Sequence, residues 1–540
     1  MRKLIALMGL AASGWAADVY RYGKFEASFT AAKEYADPLD VSVVADFSGP
    51  GSVQVRVPAF WDGGRTWKVR FSPERTGTWT YRVQSSDAQE TGLNGKTGRF
   101  QVKAYRGKNQ LFLHGAPRVA PGGHHFMHAD GRPWFWLGCT GWNSALMSTD
   151  EEWAQYLNDR QAKRYTAIQF VMAAPWRAGR KDENGRVAFT RSDRLRVDPE
   201  FFRRMDRKMD QMNDKELVGV GVMLWALTSK DNESPGASLS APDAVRLARY
   251  MAARYAAHHV IWLLGGDGNY ERGEGPERWK QIGRGTFPKD EFRRPVSLHP
   301  GGTRDPWPIF KDEPWLDFYN YQTGHGSDQR KWEWNATMGT ASGWKLTPAK
   351  PVLDTEPNYE GHTSYRENRK IDAAAVRRAV WYSLLAATPA GVTYGAHGIW
   401  PWMRTAGVPL DHANSGVADP WTECLNYPGS QQMTIVRNTL DGLPWWRLEP
   451  NRFLLASEPD KVDWTAYPMP ASTGDGEFAL IYLPNNPAVE LNLTNFGNAK
   501  ATWIDPRTGA RTAAGRLKES ARVAVKTPGA GDWLLQLRKD

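Results

Sequence analysis

The chain has 540 residues, of which 41% are hydrophobic and 24% are charged, and Lys and Arg outnumber Asp and Glu by 69 to 59. These values exclude a disordered, collagen-like or coiled-coil chain and predict several folded domains, because one core rarely grows beyond about 250–300 residues. The positive charge is dispersed rather than clustered, so we expect no nucleic-acid partner. The 26 tryptophans are unusual and suggest aromatic-lined grooves as well as core packing.

The first residues have the pattern of a secretory signal peptide. A basic start and a short apolar run precede small residues at Gly14 and Ala16, which is the arrangement that a signal peptidase reads. We expect cleavage after Ala16 or Ala17, so residues 1–17 would be removed and the protein would be secreted or periplasmic. The apolar run is too short to span a bilayer and no later run is long enough, so we expect no membrane span.

Residues 18–108 are predicted to form an N-terminal β-sandwich of immunoglobulin-like size. Apolar and polar side chains alternate in short segments that Gly and Pro turns separate, which is typical of such a domain. The clearest predicted strands are Val41–Phe47, Val53–Val57 and Trp79–Val83.

Residues 109–448 alternate between strand and helix patterns, and we predict a TIM (β/α)8 barrel with insertions. The eight candidate strands are Trp134–Leu137, Ala167–Met172, Val218–Leu224, Val260–Leu264, Pro295–Leu298, Leu316–Tyr319, Pro351–Thr355 and Gly391–Tyr394. Amphipathic segments lie between several of them: Glu151–Lys163, Pro199–Lys215, Asp243–His258 and Asp372–Thr388. An open doubly wound sheet is the alternative, but no Gly-x-Gly-x-x-Gly follows a strand. Residues 449–540 return to strand patterns and are predicted to form a second, smaller β-sandwich, so the fold class is an α/β barrel flanked by two all-β domains.

Two carboxylates end predicted strands four and seven. In a TIM barrel the active site lies at the C-terminal ends of the strands. Strand four runs into Gly265-Gly266-Asp267, and we interpret the glycines as room for a ligand near the backbone. Strand seven runs into Asp354-Thr-Glu356 before a proline stops it. Two carboxylates facing each other across the mouth would suit glycoside hydrolysis, in which one donates a proton and the other attacks the sugar or activates water.

We assign the reactive role on strand seven to Glu356 and a supporting role to Asp354. The two-residue period of a strand places them on one face, with Asp354 deeper in the barrel. Tyr319 is predicted to orient Glu356 through its hydroxyl, because strand six neighbours strand seven. Further side chains at strand ends could stack on or hydrogen-bond a sugar, although each could equally be core or a satisfied loop residue: Trp142, Asn143, Trp176, Trp225, Asn269, His299, Tyr319, Gln322, His397 and Trp400.

At these residues the sequence resembles a known family. Trp262-Leu-Leu-Gly-Gly-Asp267-Gly-Asn269 and Glu356-Pro-Asn-Tyr-Glu360, together with Trp136-Leu-Gly-Cys-Thr-Gly-Trp142-Asn143, are similar to the apiosidase-like glycoside hydrolases of family 140. The C-terminal sandwich resembles the module called "collagen-binding" that follows such barrels, and the N-terminal one an uncharacterised immunoglobulin-like module. The resemblance implies Asp267 as acid/base, Glu356 as nucleophile and retention of configuration, and it is less specific for the sugar. Our leading hypothesis is exo action on apiose-like terminal sugars of plant cell-wall or pectic oligosaccharides.

The sequence gives weaker support to other functions. An endo-acting glycosidase of the same clan and a non-catalytic carbohydrate- or matrix-binding protein stay open as alternatives. His258-His259 lacks the His-Glu-x-x-His spacing of a zinc protease, so we expect no metal and no other cofactor. The two cysteines, Cys139 and Cys424, either pair in an oxidising compartment or are two buried small side chains. The expected partner is an oligosaccharide or polysaccharide substrate.

Overall fold

The computed structural model describes residues 19–176, 179–191, 193–227, 234–387, 390–457 and 462–540. The predicted signal peptide, residues 1–17, lies outside the described residues. Three clusters of buried apolar side chains organise the described chain: one in the N-terminal sheets, a large one in the barrel, and one in the C-terminal sheets. Among the described residues, no helix is both long enough and apolar enough to cross a membrane.

The N-terminal region forms two antiparallel-rich sheets that face each other. The predicted strands are confirmed, with somewhat different ends. One sheet has the spatial order Val19–Tyr20, Thr97–Lys103, Gly77–Ser85, Val43–Gly49 and Val53–Pro58. The other has the order Phe25–Thr30, Thr66–Phe71 and Phe60–Trp61. Alternating side chains such as Ala45, Phe47, Val69 and Phe71 fill the space between the sheets.

Eight parallel strands form the central barrel, which confirms the predicted fold class. In chain order they are β1 (Trp136–Thr140), β2 (Ala167–Val171), β3 (Val218–Trp225), β4 (Val260–Gly268), β5 (Val296–Pro300), β6 (Tyr319–Tyr321), β7 (Val352–Asp354) and β8 (Gly391–Ala396). The hydrogen-bonded order is β5-β4-β3-β2-β1-β8-β7-β6. At the seam between β5 and β6, the Ser297 hydroxyl donates to the Phe318 carbonyl at 2.7 Å, so the barrel is nearly closed.

Helices follow the strands and cover the barrel. The principal ones are α1 (Asp150–Ala162), α2 (Pro199–Asp214), α3 (Ala241–Arg254), α4 (Gly275–Thr286), α5 (Trp307–Phe310), α6 (Gln329–Thr337), α7 (Ala373–Ala386) and α8 (Pro428–Leu440). The predicted N-cap of α2 is confirmed, because the Asp198 side chain accepts the Glu200 N–H. Thr149 and Glu152 form a capping box at the start of α1, which satisfies amide groups that the first turn leaves without partners.

The C-terminal region packs on the outer face of α7. Its larger sheet has the order Leu448–Pro450, Met469–Thr473, Phe478–Leu483, Trp533–Lys539, Ala499–Ile504 and Arg511–Leu517, and a small second sheet pairs Ala488–Leu491 with Val523–Lys526. Arg377 of α7 forms a bidentate, buried ion pair with Asp532 at 2.7 Å for each bond. The Tyr382 hydroxyl donates to the carbonyls of Trp464 and Tyr467.

A buried ionic network joins the N-terminal sheets to α2 and α3. Asp206 of α2 accepts hydrogen bonds from Arg70 and Arg254, and Arg254 also reaches Asp62 at 2.8 Å. Each charge is matched, which is the condition for burying it. The two arginines, despite the cost of burial, hold the pKa of Asp206 well below its ordinary value.

The two cysteines do not form a disulfide. Cys139 and Cys424 are both free and buried. Cys139 lies on β1 beside the Arg160 guanidinium, and the Cys424 thiol donates to the Asp419 carbonyl at 3.7 Å. Of the two interpretations of the sequence, two buried thiols is therefore the correct one.

Candidate active site

Asp267 and Glu356 both lie close to one imidazole nitrogen at the mouth of the barrel. His299, at the end of β5, has its Nε2 3.0 Å from Glu356 Oε2 and 3.9 Å from Asp267 Oδ1. Glu356 is only 3% exposed, whereas the Asp267 side chain is 15% exposed and lines a cavity. The structure thus brings together the two carboxylates that were predicted from the C-terminal ends of strands, and both lie near His299.

Asp267 is directed by an irregular end of β4. The pairing of β4 with β5 shifts register twice between Leu263 and Gly268, and Asp267 itself has a φ of +50°. Asp is one of the few residues that enter this left-handed region readily, because its short side chain can hydrogen-bond locally. Such bulges turn a side chain away from the regular alternation of a strand.

The glycines before Asp267 make room for tryptophan rings rather than for a ligand, which corrects our interpretation. A Cβ at Gly265 would lie 2.5 Å from the Trp279 ring, and one at Gly266 would lie 2.5 Å from the Trp225 ring. Both distances are shorter than any contact a real Cβ makes. The strand is therefore glycine-rich because aromatic side chains press on it from both faces.

Two histidines hold the Glu356 carboxylate, one at each oxygen. His325, in the loop after β6, has its Nε2 3.1 Å from Oε1, and His299 contacts Oε2. Burial would raise the pKa of Glu356, but the hydrogen bonds from His299 and His325 outweigh it and lower the pKa to about 2. Glu356 is consequently ionised at neutral pH, as a nucleophile must be.

The opposite ring nitrogens of these histidines are also engaged. The Tyr359 backbone N–H donates to His325 Nδ1 at 3.4 Å, and the Asn320 amide nitrogen lies 3.4 Å from His299 Nδ1. The Thr355 hydroxyl donates to Asn320 Oδ1 and fixes that amide. If Nδ1 accepts in both rings, Nε2 carries the hydrogen that each ring donates to Glu356.

Asp354 is buried and hydrogen-bonded, as predicted for a supporting residue, but it does not share a face with Glu356. Its Oδ2 accepts from both the Thr323 and the Ser383 hydroxyls, each at 2.7 Å, and Ser383 belongs to α7 in the outer layer. Strand β7 ends at Asp354 and the next residues bend, so the two-residue period of a strand does not extend to Glu356. Asp354 fixes the loop after β6 and the packing of α7, and burial raises its pKa.

A cavity of about 470 Å³ opens above the two carboxylates. Trp176, after β2, and Trp400, after β8, form one wall, and their ring centroids are 4.4 Å apart. Trp334 of α6 and the partly exposed Tyr365 contribute aromatic surface on other sides. Gln322 also lines the cavity, and its Oε1 makes no hydrogen bond with the described residues. Three predicted ligand-contacting residues, Trp176, Gln322 and Trp400, therefore do line this cavity.

Three other predicted residues support the cavity from below. Trp142 and Trp225 are buried and pack on each other and on His299, with the Trp142 centroid 5.1 Å from the imidazole. Asn143 is fully buried, and its amide joins the Trp176 backbone N–H and carbonyl at 2.7 and 2.9 Å. Because both ends of that amide are occupied, Asn143 positions Trp176 instead of contacting a sugar.

Asn269, Tyr319 and His397 do not line the cavity. Asn269 is exposed and forms hydrogen bonds with the Arg272 backbone, closing a turn beyond Asp267.

The Tyr319 hydroxyl donates to the Pro348 carbonyl at 2.9 Å. Because Tyr319 begins β6, it lies at the end of the barrel opposite Glu356. The orienting role predicted for Tyr319 belongs to His299 and His325. His397 is buried against His362, where desolvation lowers its pKa to about 3.

The sequence analysis did not identify His325, the second histidine that binds Glu356, or several aromatic residues around the cavity. His325 follows Gln322 by three residues, so extending the strand-end search along that loop would have found it. His362, Tyr365 and His412 come from loops without a strand-end signal, and their rings pack in one group with His325. Among the described residues no three His, Cys, Asp or Glu side chains are grouped so that they could hold a metal ion.

Comparisons with known proteins agree with this architecture. The family described as "Apiosidase-like, catalytic domain" matches residues 120–447, more than half of the chain. Residues 18–86 match "Domain of unknown function (DUF5060)", and residues 455–538 match "Putative collagen-binding domain of a collagenase". No curated protein matches the chain.

Solved structures share the fold at low sequence identity. A protein titled "Glycoside hydrolase" is 21% identical with a TM-score of 0.68, over 79% of this chain and 97% of its own. A family 5 glycoside hydrolase from Bacteroides vulgatus is 22% identical with a TM-score of 0.68, over 79% of this chain and 93% of its own. A "putative glycoside hydrolase" from the same organism is 20% identical with a TM-score of 0.69, over 97% of this chain and 100% of its own.

Proposed function

This chain belongs to the apiosidase-like family of glycoside hydrolases, and we propose that it is a retaining exo-glycosidase. Its substrates would be plant cell-wall or pectic oligosaccharides that end in apiose or a similar sugar. The observation that carries the proposal is that Asp267 and Glu356 both lie within 4 Å of the same His299 nitrogen and both line one cavity.

Glu356 is the proposed nucleophile. It is ionised because two imidazoles donate to its two oxygens, and an ionised carboxylate can attack the anomeric carbon to form a glycosyl-enzyme. Its hydrogen-bonded position also fixes the direction of attack. Attack at one face and release by water at the same face would retain the configuration.

Asp267 is the proposed acid/base. It is more exposed than Glu356 and lies at the cavity wall, where a leaving oxygen would emerge. It would protonate that oxygen in the first step and deprotonate water in the second. Because both carboxylates lie within 4 Å of one His299 nitrogen, their nearest oxygens are at most about 7 Å apart. This bound includes the separation of about 5–5.5 Å found in retaining enzymes and excludes most of the range of about 6.5–9.5 Å found in inverting ones.

The size of the cavity supports action at chain ends. Its volume of about 470 Å³ is in the lower part of the usual range of ligand pockets, about 300–1,000 Å³. The tryptophan wall of Trp176 and Trp400 offers flat apolar surface for a sugar face, and Gln322 offers an amide for its hydroxyls. An endo-acting enzyme would be expected to have a longer open groove.

The test is a screen of the purified protein against pectic and hemicellulosic oligosaccharides, with the released sugar identified by chromatography. The anomer formed first, followed by NMR, would be that of the substrate if the mechanism is retaining. Release of internal fragments would contradict exo action, and the opposite anomer would contradict retention. The signal peptide and export are tested separately by sequencing the N-terminus of the protein from its native host, which should begin at residue 17 or 18.

A further inference from the structure

A second, larger cavity lies between the N-terminal sheets and the barrel. Its volume is about 650 Å³, and we name it the junction cavity. Its lining comes from the N-terminal segment 34–40, from Trp61, from the hairpin residues 194–197, and from the beginning of α3. The buried ionic network around Asp206 already connects the N-terminal sheets to the barrel at another place. The contact between the two domains therefore does not depend on the residues that line this cavity.

Part of the lining of the junction cavity comes from segments that follow the C-terminal ends of barrel strands, as the two carboxylates do. Residues 194–197 belong to the connection from β2 to α2, which leaves the C-terminal end of a strand. Trp176, which lines the catalytic cavity, belongs to that same connection. Arg246 lies near the start of α3, which follows β3 and so begins at that end too. All βα connections of a barrel meet on its catalytic face.

The lining combines an aromatic side chain with paired charges. The indole N–H of Trp61 donates to the Gly64 carbonyl at 2.8 Å and so restrains the ring. Leu39 and Val197 add aliphatic surface to the same lining. Arg194 pairs with Asp37, and Arg246 with Asp40 at 2.7 Å, across the domain boundary. The Arg194 and Asp40 side chains are 52% and 54% exposed, so their polar atoms remain accessible.

Such a lining suits a neutral carbohydrate. Hydroxyl pairs can both donate to a carboxylate and accept from a guanidinium, and a ring face can lie on an indole. Four acidic and three basic side chains line the cavity, so neither a polyanion nor a cation has an electrostatic advantage. The acidic ones are Glu34, Asp37, Asp40 and Asp243, and the basic ones are Arg194, Arg196 and Arg246.

We propose that the junction cavity binds a neutral part of the carbohydrate chain whose end enters the catalytic cavity. This inference rests on the proposed function. It gives the N-terminal domain a role in substrate capture, because the cavity is incomplete without segment 34–40 and Trp61. Occupancy of both cavities by one chain would favour branched or polymeric substrates over short ones.

The test measures binding separately from cleavage, in the full chain carrying Glu356→Gln. Affinity electrophoresis in gels that contain arabinan, galactan or xyloglucan would report binding as retardation. We expect at least one of these polysaccharides to retard the protein. Adding Trp61→Ala, or separately Asp40→Ala, should weaken that binding by about tenfold or more, as expected for a central contact residue.

Trp446→Ala is the matched control, since Trp446 is 38% exposed and lies in a different part of the molecule. Asp40→Ala keeps the test decisive should Trp61→Ala fail to fold, because Asp40 lies at the surface. Equal retardation of the Trp61, Asp40 and Trp446 variants, or no retardation by any of the three polysaccharides, would overturn the inference. If the wild-type protein cleaves nothing while the cavity variants still lose binding, the proposed function fails and the binding site stands.

Discussion

His299 donates from Nε2 to Glu356 at 3.0 Å, while the same nitrogen lies 3.9 Å from Asp267. One side chain at the end of β5 therefore lies within 4 Å of both carboxylates, Asp267 at the end of β4 and Glu356 in the loop after β7. Trp142 and Trp225 pack on its ring and leave it little freedom to move. The spacing of the proposed nucleophile and acid/base is thus set by a buried side chain and not by a mobile loop.

Glu356→Gln should lower kcat by at least about 10³-fold, because the amide cannot attack the anomeric carbon. The variant should fold, since its amide can replace the carboxylate in size and keep one hydrogen bond as acceptor. Turnover of a cognate oligosaccharide and a thermal melt provide the two measurements. Near-normal turnover would show that the nucleophile is another residue.

Asp267→Asn should lower turnover of natural substrates by about 10²–10⁴-fold, because no proton reaches the leaving oxygen. Aryl glycosides with good leaving groups should lose much less in the first step, since these groups depart without a proton. Glu274→Gln, an exposed carboxylate of the same loop, is the control and should behave as wild type. An equal loss on both substrate types would argue against the acid role.

His325→Ala should move the acidic limb of the activity profile to higher pH. The hydrogen bond from His325 lowers the pKa of Glu356, so removing it raises that pKa and reduces the ionised fraction at a given acidic pH. A shift of about one pH unit or more in kcat/KM is expected. An unmoved limb with lower kcat would mean that His325 acts only through packing.

Gln322→Ala should lower kcat/KM by about tenfold with little change in melting temperature. Gln322 lines the cavity, and its Oε1 makes no hydrogen bond with the described residues. The substitution would therefore remove a hydrogen bond to a substrate hydroxyl, which contributes about 1–1.5 kcal/mol. Asn269→Ala serves as the matched amide outside the cavity. If both variants lose activity equally, the cavity lining is assigned wrongly.

Asp532→Ala should loosen the C-terminal domain. It leaves the buried Arg377 guanidinium without its bidentate partner, which costs about 3–5 kcal/mol for a buried pair. Glu490→Ala removes an exposed ion pair with Arg522 and should cost at most about 1 kcal/mol. Denaturant unfolding of both variants provides the comparison, and equal stabilities would contradict the role given to Arg377.

The sequence by itself determined the strand–helix alternation of the barrel, its two all-β flanks and the two carboxylates. These depend on local periodicity and on the rule that parallel strands present their C-terminal ends at one face. Trp176, Gln322 and Trp400 were found by the same rule, since each lies within five residues of the C-terminal end of a strand.

Only the tertiary structure decided which neighbours those residues meet. Asn143 and Tyr319 look like sugar-binding residues in sequence, yet their polar atoms are used by backbone groups far along the chain. Asp354 turns to α7 because β7 ends two residues before Glu356. The pairing of His299 and His325 with Glu356, and the cavity between two domains, join segments distant in the chain. Local patterns cannot specify such contacts, because they arise from how whole elements pack.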